Sequence, residues 1–158
     1  MFGRVREPGC DGLPTSRLLD QNDFYDVFMH DLRRARQEVV IESPFLSIKR
    51  INYFLPTLHM LIRHRVNIII NTKSPEEHEP EYRDQVELCI GQLQEIGISV
   101  LLTGGHHRKL AIIDQHTLYE GSLNILSQND SCEIMRRIDS EQLAQQMIEF
   151  IGVHRFTR

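Results

Sequence analysis

Two basic side chains of different kinds stand one residue apart, His107 and Lys109. An imidazole can attack an electrophilic centre or move a proton near neutral pH, and an ammonium beside it can neutralise a phosphate oxygen. Alternate residues of an extended strand share a face, so His107 and Lys109 would point together, with His106 and Arg108 opposite. The apolar run Leu110-Ala111-Ile112-Ile113 would anchor that strand and Asp114 ends it. Gly104-Gly105 precedes it, and Gly105 is a candidate for close backbone approach to a substrate. Downstream, Gly121-Ser122-Leu123-Asn124 carries two neutral hydrogen-bonding side chains, and Glu133 stands at the head of a further strand.

These residues need a scaffold, and the hydrophobic spacing describes one. Helical periodicity runs over 20–36, with Asp20 or Asn22 as N-cap, and again over 51–64 and 82–96, the last closed by Gly97. Apolar strands are expected at 38–46, 66–72 and 98–102, followed by short strands at 110–114, 118–120 and 133–138 and a last helix from Asp139-Ser140 to about 151. Strand and helix alternate at first, which is an α/β pattern.

The pattern His107-x-Lys109, four residues, Asp114, six residues, Gly121-Ser122-x-Asn124 resembles the signature of the phospholipase D superfamily. It occurs once, as in the single-motif members such as small bacterial nucleases, which function as dimers. The resemblance is strongest over 98–138 and extends over roughly 20–151. It implies an α/β, phospholipase D-like sandwich with a mixed, mostly parallel central sheet flanked by helices. It also implies a phosphodiesterase that needs neither metal nor other cofactor. His107 would attack phosphorus to give a phosphohistidine, and the partner chain's copy of the same histidine would protonate the leaving oxygen and later activate water. Lys109 and Asn124 would hold the non-bridging oxygens, and Ser122 would be a further site residue. Glu133 would orient the partner-side imidazole, and Asp114 would support the site structurally. One histidine per chain then calls for a homodimer with a site shared across a two-fold axis.

Substrate contacts are expected where the first strand ends. Phe45 follows Ser43-Pro44 on the ligand side of an α/β sheet, and Lys49-Arg50 come next, suited to a nucleic-acid backbone. The other basic clusters, Arg33-Arg34-Arg36, Arg63-His64-Arg65 and Arg136-Arg137, read as solvated faces. The acidic stretch through Glu76, Glu77, Glu79 and Glu81 would repel a polyanion and is expected away from the groove. A metal cluster of His106, His107 and His116 lacks any completing ligand spacing.

The chain has 158 residues and a net charge of -4, so attraction to a polyanion must be local rather than global. Residues 1–14 read as a loose leader before a single domain over 15–158. Cys10, Cys89 and Cys132 match no metal or redox spacing and are expected as free thiols of a cytoplasmic protein. No apolar run approaches the ~20 residues that cross a bilayer. Three activities share this motif: a nuclease on DNA or RNA, a lipid phosphodiesterase, and a non-catalytic nucleic-acid-binding module of a helicase or restriction complex.

Overall fold

The computed structural model describes residues 15–127 and 130–157; the expected leader over 1–14 and Cys10 lie outside them. Its strands are β1 (Thr15–Asp20), β2 (Glu38–Glu42), β3 (Asn67–Thr72), β4 (Ser99–Leu102), β5 (Leu110–Ile113), β6 (Thr117–Gly121) and β7 (Ile134–Asp139). Its helices are α1 (Phe24–Leu32), α2 (Ile48–Arg63), α3 (Pro80–Glu95) and α4 (Glu141–Ile151).

All seven strands join one sheet in the order β1-β7-β6-β5-β2-β3-β4. The sheet is mixed and flanked by helices, as expected, but its balance corrects the expectation of mostly parallel pairing. Only β2–β3 and β3–β4 run parallel, while β1–β7, β7–β6, β6–β5 and β5–β2 are antiparallel. The two α-helical crossovers at β2–α2–β3–α3–β4 enforce parallel neighbours, whereas β5, β6 and β7 are joined without helices and reverse direction at each step.

Strand β1 has no counterpart in the sequence reading. It is an edge strand whose only buried residue is Leu19, so it shows no apolar alternation. Asp20 closes it instead of capping α1: its carboxylate accepts the backbone N–H groups of Asn22 and Asp23 at 2.8 and 3.0 Å. Helix α2 starts earlier than the apolar spacing suggests, because Ser47 caps it by accepting the Arg50 N–H. Pro56 lies inside that helix without ending it.

The two sheet faces are covered unequally. Helices α1, α2 and α3 bury one face around Val39, Ile41, Ile68, Ile70, Ala111 and Tyr119. Phe24 and Phe28 pack edge-on against Tyr119 with ring centroids 5.6 and 5.2 Å apart. Each such fully buried ring contributes ~1.5–3 kcal/mol. On the other face α4 packs Ala144, Ile148 and Ile151 on Val40, Ile69, Ile112 and Leu118, joined by Val153.

Asp114 sits in the β5–β6 turn with φ 52°. Its carboxylate accepts three successive backbone N–H groups, from Arg36, Gln37 and Glu38, at 2.8–3.2 Å. It therefore fixes the lead-in to β2. Asp114→Ala is expected to lower stability by about 2 kcal/mol, because three successive backbone donors, that of Glu38 partly buried, lose a charged acceptor. Thermal melting would register this, while activity per folded molecule should stay near wild type.

Candidate active site

The carboxyl ends of β2, β3 and β6 and the amino ends of β5 and β7 share one edge of the sheet, and the motif residues gather there. The segment carrying His107 and Lys109 lies just before β5. Lys109 Nζ donates to the His107 carbonyl at 2.8 Å and stands 3.2 Å from His107 Nδ1. An ammonium only donates, so Nδ1 accepts and a neutral ring carries its proton on Nε2. Burial pushes the Lys109 ammonium below its usual range, and the carboxylate of Glu133 partly opposes this.

Ser122, Asn124 and Glu133 line the same groove as His107 and Lys109, a cavity of about 1080 Å³. Ser122 Oγ accepts the Ile134 N–H at 3.0 Å, and its N–H donates to the Ile134 carbonyl at 2.9 Å. Hydrogen bonds from Ser122 and Ser131, with the charge of Lys109, hold Glu133 below the usual carboxylate range. The Asn124 Oδ1 atom is buried without a protein partner. Gly121 is required by the neighbouring strand: a Cβ there would meet the Ile134 carbonyl and stand 2.9 Å from Met135 Cα.

Arg108, expected on the opposite face, lines the same groove as His107 and Lys109, because the regular strand begins only at Leu110. Its guanidinium grips the fully buried Glu42 in two parallel contacts of 2.7 and 2.9 Å. Asn71 donates to the same carboxylate at 3.0 Å, and Thr103 donates to Asn71 at 2.8 Å. His106, expected at the rim or with its bonds satisfied, is 4% exposed and its Nε2 has no protein partner. His116 belongs to the opposite end of β5, next to Asp139, so His106, His107 and His116 do not converge.

Several expected contacts fall elsewhere. Asp114 is four residues along β5 from this edge, ~13 Å away at strand rise, and serves backbone as described. Phe45 lines a separate cavity of about 500 Å³, where Lys73 covers its ring at 4.4 Å and His78 meets it edge-on at 5.5 Å. Arg50 lies 3.5 Å over the Tyr25 ring. Lys49 is exposed on the first turn of α2 and does not line the groove. Gly105 donates its N–H to Glu77 at 2.8 Å, so the acidic stretch abuts the turn leading to His107, while none of its carboxylates lines the groove.

Two side chains given no site role by the sequence position the motif. Buried Ser43 donates to the Phe45 carbonyl at 3.0 Å and accepts the Leu126 N–H at 3.1 Å. The Tyr25 hydroxyl donates to the Ile125 carbonyl at 3.0 Å and lies 3.3 Å from that of Ser127, and burial pushes it up to about 12. Both grip the segment after Asn124. No local pattern marks a serine or tyrosine for such a long-range contact.

The family model described as "Cardiolipin synthase, PLD-like domain" matches residues 28–152. The chain belongs to the phospholipase D-like family. No curated protein sequence matches it. Among solved structures it is similar to Nuc, a phospholipase D family member from Salmonella typhimurium (14% identity, TM-score 0.71, covering 87% of this chain and 91% of that one). It is similar to NucT from Helicobacter pylori (18%, TM-score 0.70, 87% and 93%). It also resembles phosphatidylserine synthase of Haemophilus influenzae (15%, TM-score 0.62, 92% and 39%). At these identities the likeness is one of fold. Among the described residues of this phospholipase D-like chain no helix is long and apolar enough to cross a membrane, and Cys89 and Cys132 are free.

Removing one partner of the Arg108–Glu42 pair leaves a buried carboxylate uncompensated. Arg108→Met is expected to cost about 3 kcal/mol, and Glu42→Gln combined with it to recover part of that loss in a denaturant titration. Burial also lowers His78 and His106 below their ordinary 6.5. The unfolded chain then binds protons that the folded chain refuses, so the stability is full above that value and is lost as pH falls below it. The melting temperature should drop between about pH 7.5 and pH 5.5, and His78→Leu should flatten that drop.

Proposed function

We propose that the chain is a metal-independent phosphodiesterase, acting as a nuclease on DNA or RNA through a phosphohistidine in a site shared by two copies. The observation that carries this reading is the pairing of His107 with Lys109 at 3.2 Å in an open groove that Ser122, Asn124 and Glu133 also line.

One chain brings one imidazole, and the chemistry needs a nucleophile and an acid. The groove supports a second copy as the source. Beside the motif it exposes Leu18, Ile134 and Phe150, at 58%, 61% and 77%. These are large apolar side chains on the face that α4 leaves partly bare, and an isologous pairing would cover both sets at once.

A phosphodiester entering between the two copies takes the ammonium of each Lys109. That frees His107 Nδ1 to carry the proton, with the partner-side Glu133 accepting it. Nε2 of one His107 is then the nucleophile: its lone pair forms the N–P bond as the P–O bond to the leaving group breaks. The second imidazole, entering the step protonated on both nitrogens, gives that oxygen its Nε2 proton. It next takes a proton from water, whose oxygen displaces His107 from phosphorus. Lys109 and the Asn124 amide stabilise the charge on the non-bridging oxygens throughout.

Nucleic acid is favoured over lipid because the chain has no membrane-crossing helix among its described residues and its small solved neighbours include Nuc and NucT. A cytoplasmic location, alone or within a helicase or restriction complex, fits that substrate.

The test is cleavage of single- and double-stranded DNA and RNA in EDTA. Wild type should cut, and His107→Ala and Lys109→Ala should lose at least about 10³-fold. Acid-labile phosphate should accumulate on His107 in a rapid quench. Phe150→Glu should yield a folded monomer by sedimentation that does not cut. Cleavage abolished by EDTA, or retained by His107→Ala, would refute the mechanism. An active monomer would refute the shared site.

A further inference from the structure

The edge of the sheet opposite the motif carries a different surface. Helices α1 and α2 both end there, and the clusters Arg33-Arg34-Arg36 and Arg63-His64-Arg65 follow them into β2 and β3. The strands pair in register Glu38↔Asn67, and Asn67 donates its N–H to the Gln37 carbonyl at 2.9 Å. Arg36 and Arg65 therefore each stand two residues before the first paired residue of two neighbouring strands. Two clusters far apart in sequence become one.

All five arginines are exposed, and among the described residues none of them has an ion-pair partner. The carboxylates of this edge are committed elsewhere. Asp114 accepts backbone N–H groups, and Glu38 holds Asn67 and His154 at 3.1 and 2.9 Å. Asp31 and Asp139 both hold Arg137, at 2.6 and 2.5 Å. In a chain of net charge -4 this is a concentrated local cation field.

Arg65 supplies an independent observation. It follows the C-cap of α2 with φ 63°, the left-handed conformation that favours glycine at this position. An arginine there strains the backbone without packing in the core.

We propose that this arginine edge is a second binding surface, for the phosphate backbone of nucleic acid, which holds a long substrate at a distance from the groove. The proposal rests on the nucleic-acid reading of the groove, but uses none of its residues. Fork-shaped guanidinium groups without a lysine among them suit phosphate oxygens in bidentate contact.

The test measures anisotropy of a labelled oligonucleotide on the full chain carrying His107→Ala, so that nothing is cut. Adding Arg36→Gln and Arg65→Gln should weaken binding about tenfold or more and reduce the slope of log affinity against log salt by about 2. Arg65→Gly relieves the backbone, so it should melt no lower than its parent and still bind the oligonucleotide more weakly. Hydrolysis of bis(p-nitrophenyl) phosphate, too small to reach this edge, should be equal in chains with and without the arginine changes when His107 is intact. Unchanged affinity and salt slope in the double variant would overturn the proposal. So would capture of phosphatidylglycerol vesicles with no binding of the oligonucleotide. Loss of oligonucleotide affinity in a protein that never hydrolyses the small diester would sustain the surface and sink the enzymatic reading instead.

Discussion

A carboxylate with no exposure to water, Glu42, sits beneath the segment that presents His107 and Lys109, and Arg108 is bound to it from between them. A buried charge must be matched where it lies, so the backbone around Arg108 has little freedom. Asn71 and Thr103 extend the same network into β3 and the turn after β4. The pair of groups that would meet a phosphate is thus held by a polar anchor together with one cross-strand bond, from the Gly121 N–H to the Lys109 carbonyl at 3.3 Å.

The second half of the motif is held differently. Gly121 lets β6 approach β7 closely, Ser122 bonds to Ile134, and Tyr25 and Ser43 grip the segment after Asn124. Arg50 is stacked on Tyr25 and so supports this grip from α2. Anchors from α1, β2 and α2 therefore converge on one edge. The opposite edge collects the carboxyl ends of α1 and α2, and with them the unpaired arginines. The sheet separates a small groove suited to one diester from a broad cationic rim.

Most elements were legible because their apolar spacing reports burial directly. The helices α2 and α3 and the strands β2 and β3 have continuous or periodic apolar sides, and their ends shift by only a few residues. Strand β1 was not legible, since an edge strand with one buried residue has no pattern to show. Nor was the antiparallel majority of the sheet, because apolar runs reveal strands but not their neighbours. Within the site, His107, Lys109, Ser122, Asn124 and Glu133 share the groove. Phe45, Lys49, Arg50 and Gly105 lie outside its lining, since proximity to a strand end fixes an edge but not a direction for a side chain.

The sequence by itself determined the family and the groups available for chemistry, because a motif is a statement about residue type and spacing along the chain. Only the tertiary structure decided that Asp114 supports backbone, that Glu42 anchors the motif, that Glu77 meets Gly105, and that two arginine clusters form one surface. Each of these joins residues distant in sequence, and such contacts depend on strand order and on how helices cover a sheet, which no local spacing encodes.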